Sequence, residues 1–257
     1  KPLDHLDPDQ VVALGAAVQA DILAGNRKDL LLLDVTPLSL GIETAGGLMD
    51  VLISRNSKVP NSAARQYTTQ VDGQTQMRIS VFQGERELVQ HNRKLAEFEL
   101  TGIPAMPAGL PKVEISFTLD ADGILQVTAK ELRSGVEQQV EVKPQYGLTD
   151  DEVEQMLMDS LQHAETDVET RMLLEAQEEG RQLVYQAARY LEKHGAYFTE
   201  EEKTGTQARI DKLKELVENG SKDDIHNAIT ALDEFTQPVA HRVMDDAVGE
   251  AMRGKAI

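Results

Sequence analysis

Six histidines, at positions 5, 91, 163, 194, 226 and 241, are the side chains best suited to acid–base work near neutral pH. They lie far apart and lack metal-ligand spacing. There is no Cys, which removes thiolate nucleophiles, thiolate metal sites and disulfides together. The chain contains no Gly-rich phosphate loop ending in Lys and Ser or Thr, no Gly-x-Ser-x-Gly elbow and no His-Glu-x-x-His pair. Asp120-x-Asp122-Gly123 opens like a calcium loop but lacks the later carboxylates and the terminal Glu. Strand-like alternation on both sides favours a hairpin turn there. His163 and Glu165 read as a solvated helix face. Glu200, Glu201 and Glu202 read as the first turn of a helix, where carboxylates suit the dipole. Gly15-Ala16-Ala17 would let a backbone approach a ligand, or would serve helix packing. No enzyme site emerges, and no metal ligands are assigned.

The elements that carry these residues are set by composition. The 257 residues hold 26 Lys+Arg and 44 Asp+Glu, a net charge of −18. That balance opposes a nucleic-acid surface and an anionic membrane surface. Aromatics make up 4% and Trp is absent, so any core is aliphatic. No apolar run approaches the ~18 residues of a membrane span, and no signal peptide opens the chain. The lack of Cys is compatible with a reducing cytoplasm. The first residues, Lys1-Pro2, suggest a piece of a longer protein. The charge is uneven: residues 1–28 carry −1, 29–144 carry −4 and 145–257 carry −13. The shift predicts a boundary near Pro144–Gly147.

Residues 1–28 predict one helix, started by Asp7-Pro8 and ended by Gly25-Asn26. Leu30, Leu31, Leu32 and Leu33, followed by Asp34, form a short apolar run that should dock on something. Residues 35–143 predict about eight short strands in a sandwich, with alternation clearest at Met77, Ile79, Val81 and at Val113, Ile115, Phe117, Leu119. Residues 149–253 predict helices. Capping boxes start at Thr149 and Thr199, two helices run in line after Thr149, and Pro238 breaks or restarts the last pattern. Met156-Leu157-Met158 reads as core rather than groove. Apolar strands, a long helix and an apolar linker fit a largely preformed groove for an extended peptide.

Leu30–Gly47, reading LLLLDVTPLSLGIETAGG, closely resembles the linker and first strand of DnaK-type chaperones, the heat shock protein 70 family. Arg55-Asn56 with Val59-Pro60, Gln83–Arg86, Asn92 with Leu95, Asp120–Ile124 and Tyr146–Thr149 extend the resemblance over essentially the whole chain. Val11–Ala20 is similar to the last helix of that family's ATPase domain. Arg86–Gln90, Gly102–Gly109, Val142–Asp150 and Met252–Lys255 resemble the HscA-like branch, which serves iron–sulfur cluster assembly.

The resemblance implies an antiparallel β-sandwich peptide-binding domain followed by an α-helical lid bundle, as separate domains. Residues 1–28 would be an ATPase-domain remnant, 29–37 the linker, 38–144 the sandwich and 145–257 the lid. The groove would use Leu40, Ile42 and Thr44, with Tyr67, Met77, Ile79 and Val113 shaping a central pocket. Met77 stands where general chaperones usually carry Val. Ala45 and Gln70 would arch over the peptide. The usual lid latch maps to Ala108 and Arg181, which cannot pair, so Asp72 with Arg181 is the expected substitute. Leu30–Leu33 and Asp34 would carry the interdomain signal. Gly15 and Ala16 would be remnants of the adenosine site. No ATP hydrolysis is expected of this chain, and no cofactor; ATP and magnesium would belong to the full-length protein. Implied partners are an extended client peptide, a cluster scaffold protein and a J-domain co-chaperone, with no nucleic acid and no membrane. The N-terminal helix or the Leu30–Leu33 run is expected to dock in a neighbouring copy's groove. The alternatives are a general folding chaperone, a retained nucleotide-binding fragment, and a scaffold that interacts through its acidic helices.

Overall fold

The computed structural model describes residues 8–23, 34–144 and 147–253. Helix α1 (Pro8–Leu23) comes first. Ten strands follow: β1 (Asp34–Val35), β2 (Leu40–Thr44), β3 (Leu48–Ile53), β4 (Lys58–Val59), β5 (Asn61–Thr68), β6 (Gln76–Gln83), β7 (Arg93–Thr101), β8 (Lys112–Leu119), β9 (Leu125–Glu131) and β10 (Glu137–Val142). Four helices close the chain: α2 (Asp150–Gln162), α3 (Ala164–His194), α4 (Glu200–Asn219) and α5 (Lys222–Arg253).

The period-two pattern lays one face of each long strand inward. Val113, Ile115, Phe117 and Leu119 of β8 are buried, and so are Leu125, Val127 and Ala129 of β9. Their hairpin closes on Asp120, whose Oδ1 accepts the backbone N–H of Asp122 and of Ile124 at 2.9 Å each. That carboxylate therefore serves its own turn. All ladders are antiparallel, in the orders β3-β2-β6-β7 and β10-β9-β8-β5, with a separate β1-β4 ribbon. The two four-stranded sheets share one apolar cluster, which joins Ile42, Ile79, Val81 and Leu100 to Val113, Ile115 and Phe117.

The helices have their own core. Ile210, Leu213 and Val217 of α4 meet Ile225 and Leu232 of α5 and Ala176 of α3. A Cβ on Gly180 would lie 2.6 Å from Val217 Cγ2, so this glycine lets α3 and α4 approach. Both expected capping boxes are present, at Thr149 with Glu152 and at Thr199 with Glu202. The break between α2 and α3 falls at His163.

Helix α3 is tied to the sheets. Asp167 accepts from Arg86 Nε at 2.5 Å and from Arg86 Nη2 at 2.8 Å, with both side chains largely buried. Arg171 pairs with Glu87 at 2.5 Å. Leu174 and Glu178 pack against the turn at Gly46. Further along, Arg189 pairs with Asp72, which also accepts the backbone N–H of Ala108 at 2.7 Å.

Several expectations are corrected. The fold class of one eight-stranded sandwich followed by a lid as a separate domain does not hold. The strands number ten among the described residues and divide into two small sheets and a ribbon, and α3 is anchored on them by ion pairs. Pro238 lies inside α5 instead of breaking it. It is exposed, so water can satisfy the carbonyl its ring frees. Met156-Leu157-Met158 is not core, since α2 buries no residue and Met158 is exposed. Asp72 does not pair with Arg181, whose guanidinium pairs with Glu178 one turn earlier. The side chain that reaches Asp72 lies two turns further on, at residue 189. Leu30–Leu33, Asp7 and Gly25-Asn26 lie outside the described residues. Val11, Val12 and Leu14 of α1 are exposed.

Two predictions follow from the packing and the clamp. Phe117→Ala should cost about 3–5 kcal/mol in urea unfolding, since the ring is wholly buried and leaves a cavity. Hydrogen bonds from Arg86, outweighing burial, hold the Asp167 carboxyl below its ordinary 3.8. A lowered carboxylate pKa stabilises the fold above the unfolded value and loses that contribution as pH falls through the folded one. Asp167→Asn leaves the Arg86 charge uncompensated and should cost about 3 kcal/mol at neutral pH. Unfolding measured against pH should show the gap between wild type and variant closing below pH 3.8.

Candidate functional site

The β2–β6 ladder runs Leu40↔Gln83, Gly41↔Phe82, Ile42↔Val81 and stops there. Residues 43–45 then part from β6, and a cleft of about 300 Å³ opens between them. Ile42, Glu43, Thr44 and Ala45 form one side. Met77, Arg78 and Ile79 of β6 form another, Tyr67 and Thr68 of β5 a third, and Gln70, Gln74 and Ile115 complete it. Thr44 Oγ1 donates to the Leu48 carbonyl at 3.2 Å and holds the turn that carries Ala45. The Gln70 backbone N–H donates to Gln74 Oε1 at 3.1 Å, and Gln74 Nε2 donates to the Gln76 carbonyl at 2.7 Å, which closes the facing loop.

Seven of the nine expected groove residues meet here: Ile42, Thr44, Ala45, Tyr67, Gln70, Met77 and Ile79. Leu40 and Val113 do not. They are 1% and 0% exposed and belong to the shared core. Leu40 still lies within the β6 ladder, ahead of the point where β2 splays, and Val113 sits behind Tyr67 as its ladder partner. Ile115, Thr68, Gln74, Glu43 and Arg78 were missed. Alternation along β8 points Ile115 inward like Val113; it is a buried core residue that backs the cleft where β2 splays. Glu43 and Arg78 carried no signal in the sequence.

The cleft is mixed: Ile42, Ala45, Met77, Ile79 and Ile115 give it an apolar floor, Glu43, Thr44, Thr68, Gln70, Gln74 and Arg78 give it polar walls, and no His, Ser or Asp lines it. The Tyr67 hydroxyl donates to Asp50 Oδ2 at 2.8 Å. Burial, followed by that bond, pushes its pKa well above the ordinary tyrosine value. A second cleft of about 590 Å³ lies between α3 and the loops around Asp72 and Ala108, and includes Gln70, Tyr185 and Arg189. Arg181 is not among its lining residues.

Asp34 begins β1 and pairs with Val59. Gly15 and Ala16 are exposed on α1, and nothing lies within 4 Å of a side chain placed at Gly15. One exposed helix face supplies no enclosing wall for a nucleotide. No group of three His, Asp or Glu among the described residues could hold a metal ion. The described residues therefore do not fit ATP with magnesium. No described helix is long and apolar enough to cross a membrane.

The Hsp70 protein family model matches residues 1–245. The match runs through strands and helices alike. It singles out neither a peptide-binding domain nor a separate lid, so the expected division of the fold is withdrawn on this ground too. Among curated relatives, the chaperone protein HscA homolog of Shewanella loihica is 48% identical, that of Pseudomonas aeruginosa 49%, and chaperone protein HscA of Cronobacter sakazakii 47%. Each alignment covers 100% of this chain and 42% of the relative. The chain thus spans about two fifths of the length of these relatives. With identity near one half over every residue, and a family model reaching from residue 1 to 245, the chain belongs to the Hsp70 family and is HscA-like.

Proposed function

We propose that the cleft holds an extended, apolar segment of a client polypeptide. The observation that carries this reading is the end of the β2–β6 ladder at Ile42. Past that point the β6-facing backbone edge of residues 43–45 has no ladder partner, and it stands over an apolar floor. An extended chain can add main-chain hydrogen bonds to such an edge and place one side chain on the floor. Burying one aliphatic side chain there contributes about 1.5–3 kcal/mol. Helix α3, held by Arg86–Asp167 and by Asp72–Arg189, passes over the turn at Gly46 and slows exit, which acts on the off-rate. On this reading β2, β5, β6 and β8 carry the cleft, with α3 alongside the turn at Gly46.

For the whole protein we propose a cytoplasmic ATPase that couples nucleotide state to client release through residues 29–37. It would serve iron–sulfur cluster assembly with a J-domain co-chaperone and a cluster scaffold protein as client. Binding reciprocity would then make client and nucleotide each alter the other's affinity. A second reading, retained nucleotide binding by this chain, rests on the likeness of Val11–Ala20 to the family's ATPase domain. Calorimetric titration with ATP separates the two, and saturable binding would favour the second.

Three outcomes are expected. A fluorescein-labelled heptapeptide with a central Leu should bind saturably in an anisotropy titration. Met77→Glu, which puts a charge on the floor, should weaken it at least tenfold while leaving the unfolding midpoint near that of wild type; unchanged affinity would remove the cleft from consideration. Arg189→Glu should speed peptide release by up to about fivefold, the range of an exposed ion pair, whereas Arg181→Glu should change it little.

A further inference from the structure

Strands β3 and β5 are the edges of different sheets, and no ladder joins them. One carboxylate spans the gap. Asp50 of β3 uses Oδ2 to accept the Tyr67 hydroxyl at 2.8 Å and Oδ1 to accept Arg65 Nη1. Arg65 and Tyr67 stand two residues apart on β5 and so share one face. Asp50 is itself held in place. It pairs with Ile42, and a Cβ on the neighbouring Gly41 would lie 2.3 Å from the Asp50 carbonyl oxygen, so β2 and β3 close tightly here.

We infer that Asp50 is a positioning residue for the cleft: it pins the Tyr67 ring as a rigid wall and so decides which client side chains the floor admits. This rests on the peptide-binding reading above. Tyr67 lines the cleft, and Asp50 does not. An aromatic ring turns about two bonds; packing against the core holds the body of the Tyr67 ring, and its hydroxyl is the handle by which a polar neighbour fixes its outer end. A tyrosine hydroxyl is protonated, hence a donor, throughout the neutral range, and burial here pushes its pKa further up. Arg65 is half exposed, so its pairing with Asp50 orients the carboxylate more than it stabilises the fold. A pinned ring excludes bulky side chains; a freed ring swings aside and admits them.

The test uses the 257-residue chain and two labelled heptapeptides that differ only at the centre, Leu in one and Phe in the other. Wild type should prefer Leu. Asp50→Ala should shrink the Leu:Phe affinity ratio about tenfold, the lower end of the scale of one hydrogen bond to a charged group. Asp50→Asn keeps an acceptor and should restore most of the ratio. Tyr67→Phe should shrink it alone, yet add nothing in the Asp50→Ala background, because both changes cut the same link. A shifted unfolding midpoint with an unchanged ratio overturns the inference, as do effects that multiply in the double variant or a wild type with no preference. If wild type binds neither peptide, the reading of the cleft itself fails and this inference with it. If wild type binds both and the variants keep its ratio, only the positioning role fails.

Discussion

One apolar layer serves two sheets, and its limited extent governs the rest of the structure. Ile42, Ile79, Val113, Ile115 and Phe117 belong to a single cluster to which both sheets contribute. With no Trp and few aromatics, that layer is mainly aliphatic, with Phe117 its largest fully buried side chain. It fills where the strands stay in register. Where β2 leaves β6 after Ile42 the layer is uncovered, and core residues become the floor of a cleft. Ile42, Ile79 and Ile115 therefore hold the sheets together and also line the cleft.

The helices answer to a different constraint. Their internal core is aliphatic and self-sufficient, but α3 meets the sheets mainly through charge: Arg86 with Asp167, Arg171 with Glu87, Arg189 with Asp72. The three pairs differ in burial. The first is nearly shut off from water and acts as the anchor, whereas the last is half open and can exchange with solvent at little cost. Most of the chain's net negative charge lies in residues 145–257. The attachment nonetheless uses scattered basic residues, two of them on the helix, so local pairing outweighs overall balance.

Much of this was legible beforehand. Period-two runs at Val113–Leu119 and Leu125–Ala129 placed two buried strands, and the boxes at Thr149 and Thr199 placed two helix starts. Family likeness gathered seven residues of the cleft from strands distant in sequence. The failures share a cause, since each depended on where an element sits relative to another. Leu40 and Ile42 are both aliphatic core residues of the same parity along β2, and only the end of a ladder makes the second line the cleft as well. Arg181 and Arg189 lie on one helix two turns apart, and the placement of α3 against the 72–108 loops selects the second. The division into sandwich and lid failed likewise, because the ion pairs that join helix to sheet leave no trace in periodicity.

The sequence by itself determined the element types, the aliphatic nature of the core, the absence of thiol chemistry and the membership of the Hsp70 family. The first three follow from composition, spacing and caps, which are local and survive any rearrangement of the elements; the last follows from likeness along the whole chain. The tertiary structure alone decided which apolar residues face the cleft, which arginine meets Asp72, and that Asp50 bridges two sheet edges to reach Tyr67. Those outcomes turn on displacements of a few ångströms between elements far apart in the chain. Hydrogen bonds and ion pairs are lost over that distance, whereas the hydrophobic pattern that built the elements is unaffected by it.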